Sequence, residues 1–440
     1  MTTLRDPSDV LPLAPTISPG PTGLPGPTGL PGSTISPGST GSPGPTPSSG
    51  LTSRAEPRTS VRTRASAKVA MLGAGQLARM THQAAVDLNI DLVVLAESAE
   101  DSAVVAGAPF RLGSPSSFAD IRATAEGADV VTFDHELVPS AHLRELEQIG
   151  YRLRPGPRAL SLAQDKLEAR SVLSASGLPV PAFFPVFSPR DAVDFAEEHG
   201  WPVVVKNPRG AYDGRGVHVV ESEDQLAPLF AQAPPTSRAW LAEQFVDIAA
   251  ELAILIARTE RGHVALYPAV QTVQQAGICR HLVMPAPLPG AIVEQAERMA
   301  KSIADGIDAT GILAVEMFLD TSGQLLVNEL ALRPHNSGHA TIEACETSQF
   351  HQHLRAVLGW PLGATTLRSA AATVNLIGGR DAVGIADRLP LALGIRGAHV
   401  HLYGKAARPG RKLGHVTALG ASTEQALETA QAAAALLTTP

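Results

Sequence analysis

The sequence is poor in cysteine, in aromatic residues and in long apolar runs. Among 440 residues there are two cysteines, Cys279 and Cys345, and 4% of the residues are aromatic. Two cysteines are too few for a disulfide framework and lack the spacing of a zinc site. They suit a reducing compartment, so we expect a cytoplasmic protein. No apolar run reaches the roughly 18 residues of a membrane span. The N-terminus lacks the basic-then-apolar order of a signal peptide.

An excess of one charge is also missing. The chain has 35 basic and 42 acidic residues, which gives a formal net charge of −7. Such a balance does not favour binding to nucleic acid or to an anionic membrane. The length and the 44% hydrophobic content are sufficient for two or three packed domains.

Residues 1–65 differ from the rest of the chain in being rich in proline, glycine, serine and threonine. Glycine falls on every third position from Gly20 to Gly44, except at Ile35. The phase is that of collagen, but the stretch is short and interrupted. We therefore predict a disordered tail with polyproline character and assign it no chemistry.

Strand and helix patterns alternate from Lys68 onward, which predicts a mixed α/β fold. We place an N-terminal Rossmann-like unit at 66–155, a central unit at 156–370 and a small C-terminal unit at 371–440. In the central unit two apolar strands, GILAVEMFLD and GQLLVNEL, are separated by a short turn. This pattern predicts an antiparallel hairpin.

A glycine-rich turn follows the first strand. Gly73-Ala74-Gly75-Gln76-Leu77-Ala78 fits the relaxed dinucleotide fingerprint, and Glu97 ends the next strand about 20 residues later. A nicotinamide-dependent dehydrogenase is one interpretation. A turn that binds some other phosphate, or no ligand, is equally compatible with the motif.

Several features of the central unit indicate nucleotide phosphates. Lys206 ends an apolar strand, where a charge is costly unless it meets a counter-ion. Lys166 begins a predicted helix. Between them and the later strands lies the loop Tyr212-Asp213-Gly214-Arg215-Gly216, whose glycines would let the backbone close over phosphates. A solvated lysine and a plain turn are the simpler alternatives.

Glu316 and Glu329 interrupt the two apolar strands of the predicted hairpin, and Asn328 precedes the second of them. Two carboxylates on one sheet face are suited to Mg²⁺ bound to ATP phosphates. Arg333, His335 and Asn336 follow, with side chains suited to a small oxyanion.

A pair of histidines and a basic stretch are two further candidate sites. His335 and His339 are four residues apart, but the order is not that of a zinc protease, and we reject zinc there. Lys405, Arg408, Arg411 and Lys412 form a basic stretch in an acidic chain. They predict a site for an anionic group such as a monophosphate, with a solvated basic loop as the alternative.

At this point the motifs become recognisable. NELALRPHNSGH and YGKAARPGRKLGH, together with LGAGQLARM and VVVKNPRGAYDGRGV, resemble the N5-carboxyaminoimidazole ribonucleotide synthases of the ATP-grasp superfamily. The resemblance runs from about Lys68 to the end. It implies an ATP-grasp fold in which ATP lies between two antiparallel sheets, after a Rossmann-like domain and before a small C-terminal domain. It also implies a homodimer that carboxylates aminoimidazole ribonucleotide with ATP, Mg²⁺ and bicarbonate.

The resemblance further implies roles for individual residues. Those implied for catalysis are Arg333, His335, Asn336, Lys206, Tyr212, Asp213 and Arg215. Those implied for ATP are Lys166, Lys206, Tyr212 to Gly216, Glu243, Gln244, Phe245, Val246, Glu251, Asn328 and Glu329. Those implied for the ribonucleotide are Gly75, Gln76, Leu77, Glu136, Arg333, Lys405, Arg411 and Lys412. Glu316 and Glu329 would bind Mg²⁺.

The sequence departs from the family pattern at three places. Leu332 stands where a proline is usual before the arginine, and Gln274 stands where a histidine is common. Asp134-His135-Glu136 stands where a Glu-x-Glu pattern is usual, so only Glu136 matches the family there. Two other functions stay open: another ATP-grasp ligase acting on a phosphorylated purine precursor, and a non-catalytic nucleotide-binding subunit. Intact Glu316, Glu329, Lys206 and Arg333 count against the second.

Overall fold

A computed structural model describes residues 66–210, 216–231, 239–379 and 384–438. The predicted tail and the loop residues Tyr212, Asp213, Gly214 and Arg215 lie outside these ranges. Within them, no helix is long and apolar enough to cross a membrane.

The N-terminal unit is built on a four-stranded parallel sheet in the order β3-β2-β1-β4. Its strands are β1 (Lys68–Leu72), β2 (Asp91–Ala96), β3 (Phe110–Leu112) and β4 (Val130–Phe133). Its helices are α1 (Gln76–Asp87), α2 (Ser102–Val105), α3 (Phe118–Ala125), α4 (Ser140–Gln148) and α5 (Pro157–Gln164). The strands β1 and β4 are almost wholly buried, as expected for a parallel sheet covered by helices.

The central unit begins with a small antiparallel sheet in the order β5-β8-β6-β7. It contains β5 (Phe183–Val186), β6 (Val203–Lys206), β7 (Val217–Val220) and β8 (Trp240–Gln244). The accompanying helices are α6 (Lys166–Ala175), α7 (Pro189–His199) and α8 (Leu226–Ala231). The side chain of Asp165 caps α6 by accepting from the amides of Leu167 and Glu168.

A large antiparallel sheet forms the rest of the molecule. Its main path is β14-β13-β9-β11-β12-β15-β17-β16, and β10 pairs with β9. The strands are β9 (Ile248–Arg258), β10 (Val264–Leu266), β11 (Val270–Gln275), β12 (Ile278–Met284), β13 (Gly311–Asp320), β14 (Leu325–Ala331), β15 (Ala370–Ile377), β16 (Ala398–Leu402) and β17 (Lys412–Gly420). The helices are α9 (Gly290–Gly306), α10 (Thr341–Ala344), α11 (Gln349–Val357), α12 (Ile385–Leu393) and α13 (Thr423–Thr438).

The sheet crosses the position where the third unit begins in the sequence. β12 pairs with β15, with His281 opposite Val374 and Met284 opposite Ala371. The C-terminal strands therefore extend the sheet of the central unit without a break in the hydrogen-bonded ladder.

The predicted hairpin is confirmed by β13 and β14, which pair antiparallel. The pairing contains a bulge: Glu316 lies opposite Glu329, whereas Met317 lies opposite Val327. Asn328 is the extra residue of this bulge. An extra residue changes the direction of its neighbours' side chains and leaves its own backbone outside the regular ladder.

Candidate active site

A buried ion cluster lies where the small sheet meets the large sheet, at the cleft predicted to hold ATP between them. Lys206, the last residue of β6, forms an ion pair with Glu243 of β8. Arg170 of α6 binds the other oxygen of the same carboxylate, with Nε 2.5 Å from Oε1. Burial lowers the pKa of Lys206, and the nearby Arg170 lowers it further, against the opposing charge of Glu243. Two cations thus share one carboxylate, which leaves positive charge for an anion such as a phosphate.

Glu243 remains ionised in this cluster. Burial alone would raise the pKa of its carboxyl group, but Lys206 and Arg170 outweigh that effect and the pKa is lowered. Glu243 and Gln244 end β8, and the chain passes through Phe245 and Val246 to β9 of the large sheet. The segment predicted to bind adenine is therefore the connection between the two sheets.

The carboxylates of Glu316 and Glu329 form the opposite side of the cleft. They are directly opposed across the hairpin, and Lys166 Nζ lies 3.0 Å from Glu329 Oε1. Burial raises the pKa of Glu316 to about 8, with further contributions from Glu329 and Glu251. This repulsion between carboxylates is what a divalent cation would relieve, and their hard oxygen atoms are ligands that Mg²⁺ prefers. The donor set therefore fits Mg²⁺ shared with ATP phosphates.

Glu251 on β9 belongs to the same acidic group. It lies opposite Thr272 of β11 and Phe318 of β13. Burial raises the pKa of Glu251 to about 7, and a hydrogen bond with the side chain of Gln274 opposes the rise. Gln274, which departs from the family pattern, thus contacts the carboxyl group predicted to hold the ribose.

Arg333 links this cleft to the N-terminal unit. Its Nε donates to Glu136 Oε2 at 2.8 Å. Burial would lower the pKa of the Arg333 guanidinium, but the carboxylates of Glu136, Asp134 and Glu329 raise it. Leu332, which replaces the usual proline, is buried in the core with 1% exposure. The guanidinium is therefore held charged beside the acidic residues.

His335 is held neutral. Burial, followed by the charges of Arg333 and Lys412, lowers its pKa well below the usual value. Its Nδ1 lies 2.9 Å from Ser337 Oγ and 3.3 Å from the amide of Ser337, and its Nε2 lies 3.4 Å from Glu316 Oε1. Asn336 follows at the start of a short 3₁₀ turn. A neutral imidazole in this position can donate a hydrogen bond but is a weak base.

The glycine-rich turn before α1 is occupied by a side chain of the protein itself. Asp134 accepts from the amide of Gly75 at 2.6 Å and from that of Ala78 at 2.7 Å. A Cβ atom at Gly75 would lie 2.5 Å from Asp134 Oδ2. The carboxylate thus fills the position in which a dinucleotide-binding turn holds pyrophosphate.

The N-terminal and C-terminal units meet at Gln76. Lys405 donates to the side-chain oxygen of Gln76 and lies over the ring of Tyr403. The charge of Lys412, the first residue of β17, opposes the rise in the pKa of Glu316 and contributes to the lowered pKa of His335. Two separately predicted parts of the ribonucleotide site are therefore adjacent.

Three family models together match most of the chain. The preATP-grasp domain of ribonucleotide synthetases matches residues 66–164, the ATP-grasp domain matches 171–350 and the phosphoribosylaminoimidazole carboxylase C-terminal domain matches 371–429. The N5-carboxyaminoimidazole ribonucleotide synthase of Mycobacterium tuberculosis is 45% identical over 371 residues, covering 83% of this chain and 86% of that protein. The chain belongs to the N5-carboxyaminoimidazole ribonucleotide synthase family.

Solved structures of this synthase family have the same fold. The Aspergillus clavatus carboxyaminoimidazole ribonucleotide synthase complexed with ATP is 33% identical, with a TM-score of 0.79 over 84% of this chain and 98% of that one. The same fungal enzyme in complex with ADP and 5-aminoimidazole ribonucleotide is 32% identical, with a TM-score of 0.78 and the same coverage. The predicted family and the predicted ATP-grasp architecture are both confirmed.

Three of the predicted site residues, Gly216, Leu77 and Arg411, differ in how their side chains or backbone are placed. Gly216 begins the return into β7 and its carbonyl accepts from Asn207 N at 2.8 Å. Leu77 is 6% exposed, so its side chain belongs to the core. Arg411 donates to Ala406 O at 3.1 Å, and its pKa is lowered by partial burial and by Arg408. Arg411 and Lys412 are neighbours at the start of a strand, where successive side chains point to opposite faces.

Sequence reasoning missed two residues of this synthase site, Arg170 and Asp134. Arg170 lies four residues after Lys166, on the same face of a helix, and this spacing was the available signal. Asp134 stands where the family pattern has a glutamate. Its contact with Gly75, 59 residues earlier in the chain, was visible only in the fold.

Proposed function

We propose that the chain carboxylates 5-aminoimidazole ribonucleotide to N5-carboxyaminoimidazole ribonucleotide with ATP and bicarbonate, in de novo purine biosynthesis. One arrangement carries the proposal: the buried ion pair of Lys206 and Glu243 on the small sheet is joined through Arg170 to the large-sheet hairpin. On that hairpin Glu316 lies opposite Glu329, and Arg333 follows two residues after its second strand ends. A cation, two metal-binding carboxylates and a second cation are the groups that phosphoryl transfer to a small oxyanion requires.

The ATP site is assigned to both sides of the cleft. Lys166, Lys206 and the loop from Tyr212 to Gly216 would bind phosphates. The connection from Glu243 to Val246 would bind adenine, and Glu251 would bind the ribose. Glu316 and Glu329, with Asn328 nearby, would hold Mg²⁺, which supplies neutralisation of the phosphate charge when bound.

In the chemical step a bicarbonate oxygen attacks the γ-phosphorus of ATP, and the bond from that phosphorus to the ADP oxygen breaks. The product, carboxyphosphate, is attacked at carbon by the substrate amine, directly or after release of CO₂, and inorganic phosphate leaves while the amine loses a proton. Arg333 and Lys206 neutralise charge on the reacting groups, and neutral His335 and Asn336 orient the oxyanion. Tyr212, Asp213 and Arg215, which lie outside the described ranges, are assigned on the resemblance alone to sheltering carboxyphosphate from water.

The ribonucleotide is assigned to the junction of the N-terminal and C-terminal units. Gly75, Gln76, Leu77, Glu136 and Arg333 border it on one side, and Lys405, Arg411 and Lys412 on the other. Because Asp134 fills the turn before α1, the 5′-phosphate is assigned to the basic side chains.

We further propose a cytoplasmic homodimer whose domains divide at about residues 155 and 370. The resemblance to the family implies the dimer, and the formal net charge of −7 favours neither nucleic acid nor an anionic membrane as a partner. Sedimentation equilibrium of the full chain measures the oligomeric state.

The decisive assay measures ADP release as each substrate is omitted. We expect release to require both aminoimidazole ribonucleotide and bicarbonate, and ¹³C from bicarbonate to appear in the product. Support of ADP release by formate would instead indicate a related ligase that acts on another purine precursor. ATP binding with no turnover under any combination would indicate a non-catalytic subunit.

A further inference from the structure

Arg170 is a buried arginine whose two bonds join the two sheets of the cleft. Its side chain is 3% exposed. Nε binds Glu243 of the small sheet at 2.5 Å, and Nη1 donates to the backbone carbonyl of Asn328 on the large sheet at 2.6 Å. A buried guanidinium with two fixed acceptors has little freedom, so it fixes the positions of the groups it binds.

The carbonyl that Arg170 binds belongs to the bulge in the β13–β14 hairpin. Asn328 is the extra residue there, since Glu316 pairs with Glu329 and Met317 with Val327. A bulged residue leaves the ladder locally disrupted, and a buried carbonyl without a partner is costly. Arg170 provides the donor for this carbonyl from outside the sheet.

The bulge decides which side chain lies opposite Glu316. Without the extra residue, the pairing that sets Met317 opposite Val327 would continue to set Glu316 opposite Asn328. Glu329 would then be displaced by one position and would point to the other face. The carbonyl of Asn328 and the amide of Glu329 share one peptide plane, so a bond to this carbonyl constrains the residue that follows.

Helix α6 provides both side chains that contact the bulged part of β14. Lys166 and Arg170 are four residues apart and lie on one helix face. Lys166 binds the Glu329 side chain at 3.0 Å, while Arg170 binds the peptide before it. The start of the helix is also tied to the segment that follows β6, because the amide of Lys166 donates to Pro208 O at 2.9 Å.

We propose that Arg170 is a positioning residue for the metal site: anchored by Glu243, it holds the Asn328 bulge and so keeps Glu329 opposite Glu316. The proposal rests on the proposed function only in taking Glu316 and Glu329 as the Mg²⁺ ligands. Arg170 itself touches neither substrate nor metal in this role.

The test is calorimetric titration of the full chain with ADP, with Mg²⁺ and with EDTA. In Arg170→Lys a charge remains beside Glu243, but the planar fork that reaches Asn328 is lost. We expect ADP affinity in EDTA to stay within about threefold of wild type, while the gain in affinity from Mg²⁺ falls about tenfold or more, as the loss of a charge-assisted bond predicts. If Mg²⁺ increases the ADP affinity of Arg170→Lys as much as that of the wild type, the proposal is overturned. It is also overturned if Mg²⁺ does not increase the ADP affinity of the wild type.

Arg258→Lys is the matched control. Like Arg170, Arg258 is a buried arginine, and it is the last residue of β9 in the large sheet. It binds Asp305 at 3.0 Å and the carbonyl of Ala309 at 3.1 Å. The Arg258→Lys substitution should lower Tm but leave the gain in ADP affinity from Mg²⁺ unchanged. An equal loss of that gain in Arg258→Lys would show that the effect of Arg170→Lys is general destabilisation, and would overturn the proposal. If Arg170→Lys does not fold, Arg170→Gln is measured with the same two outcomes. Because ADP binding needs no ribonucleotide, failure of the carboxylation assay would leave this result standing.

Discussion

Asp134 Oδ2 lies 2.6 Å from the amide nitrogen of Gly75, inside a turn whose sequence is that of a dinucleotide-binding loop. The other oxygen accepts from Ala78 at 2.7 Å. The protein thus places its own anion where the motif would place a ligand. The glycines of the turn are required for this close approach, because a Cβ atom at Gly75 would collide with the carboxylate.

We therefore expect no nicotinamide cofactor to bind. Pyrophosphate would have to displace a charged side chain that already satisfies the helix amides, and like charges would repel. Calorimetric titration with NAD(H) and NADP(H) should give no heat of binding at micromolar concentrations, with ADP as the positive control. Micromolar binding of either dinucleotide would show that the fingerprint is functional.

Replacing Glu329 with glutamine should lower turnover by about two orders of magnitude or more, as removal of an electrostatic group often does. Glu329 is opposed to Glu316 across the hairpin, so the amide would remove one of two charged metal ligands. Steady-state ADP release at saturating Mg²⁺ is the measurement, and Glu294→Gln on the exposed face of α9 is the control. Near-normal turnover of a folded Glu329→Gln protein would remove this residue from the metal site.

Lys405→Ala should raise the Michaelis constant for aminoimidazole ribonucleotide about 10- to 100-fold, since a charge-assisted donor is worth roughly 1.5–3 kcal/mol. Arg411→Ala should act in the same direction. The constant for ATP should change little, because its phosphates are assigned to other lysines. Arg396→Ala, an exposed cation of the same unit, is the control. A rise in the ATP constant alone would make the basic stretch a nucleotide contact.

The buried imidazole of His353 should make the protein sensitive to acid. Its Nδ1 accepts from Ile312 N at 3.1 Å and its Nε2 bonds with Thr132 at 2.8 Å, and burial lowers its pKa to about 3. Between that value and the unfolded pKa of about 6.5, the unfolded chain binds more protons. The contribution of the neutral His353 imidazole to the free energy of unfolding is therefore complete above about pH 6.5. It is lost as the pH falls, by up to about 1.4 kcal/mol per pH unit.

Urea unfolding at several pH values between about 4.5 and 7 measures this slope. His353→Gln should be less stable at neutral pH but should show a shallower loss of unfolding free energy on acidification. His399→Gln, at an exposed position, should leave the slope unchanged. An unchanged slope in His353→Gln would place the acid sensitivity elsewhere.

Deletion of residues 1–65 should leave turnover and Tm nearly unchanged. The reason is composition, since a segment rich in proline, glycine, serine and threonine has too few apolar side chains to bury. Matched assays of the full chain and of a chain that begins near residue 66 measure the difference. A large loss of active enzyme on deletion would show that the segment belongs to the fold.

The hairpin and its two glutamates could be predicted because the signal is local. Two apolar strands flank a turn at Thr321, Ser322 and Gly323, and each strand contains one glutamate. The bulge at Asn328 could not be predicted in the same way. Its extra residue is visible only against the partner strand, and the register of a pair is a property of both strands.

The buried role of Arg170 was hidden for a different reason. Lys166 and Arg170 read as part of the solvated face of an amphipathic helix, which is the usual position of charged residues. Only the approach of two sheets, each distant in sequence, makes that face an interior. The position of Asp134 depends likewise on the pairing of β1 with β4.

Because the ladder continues from β12 to β15, the domain boundary proposed near residue 370 is not an edge of the sheet. A chain that stopped there would leave the residues from His281 to Met284 of β12 without a partner strand on that side, with unpaired amides and carbonyls. Exposed edges of this kind recruit strands from other molecules. The C-terminal unit therefore also protects the nucleotide-binding sheet from aggregation, a contribution that is independent of any residue it supplies to the substrate.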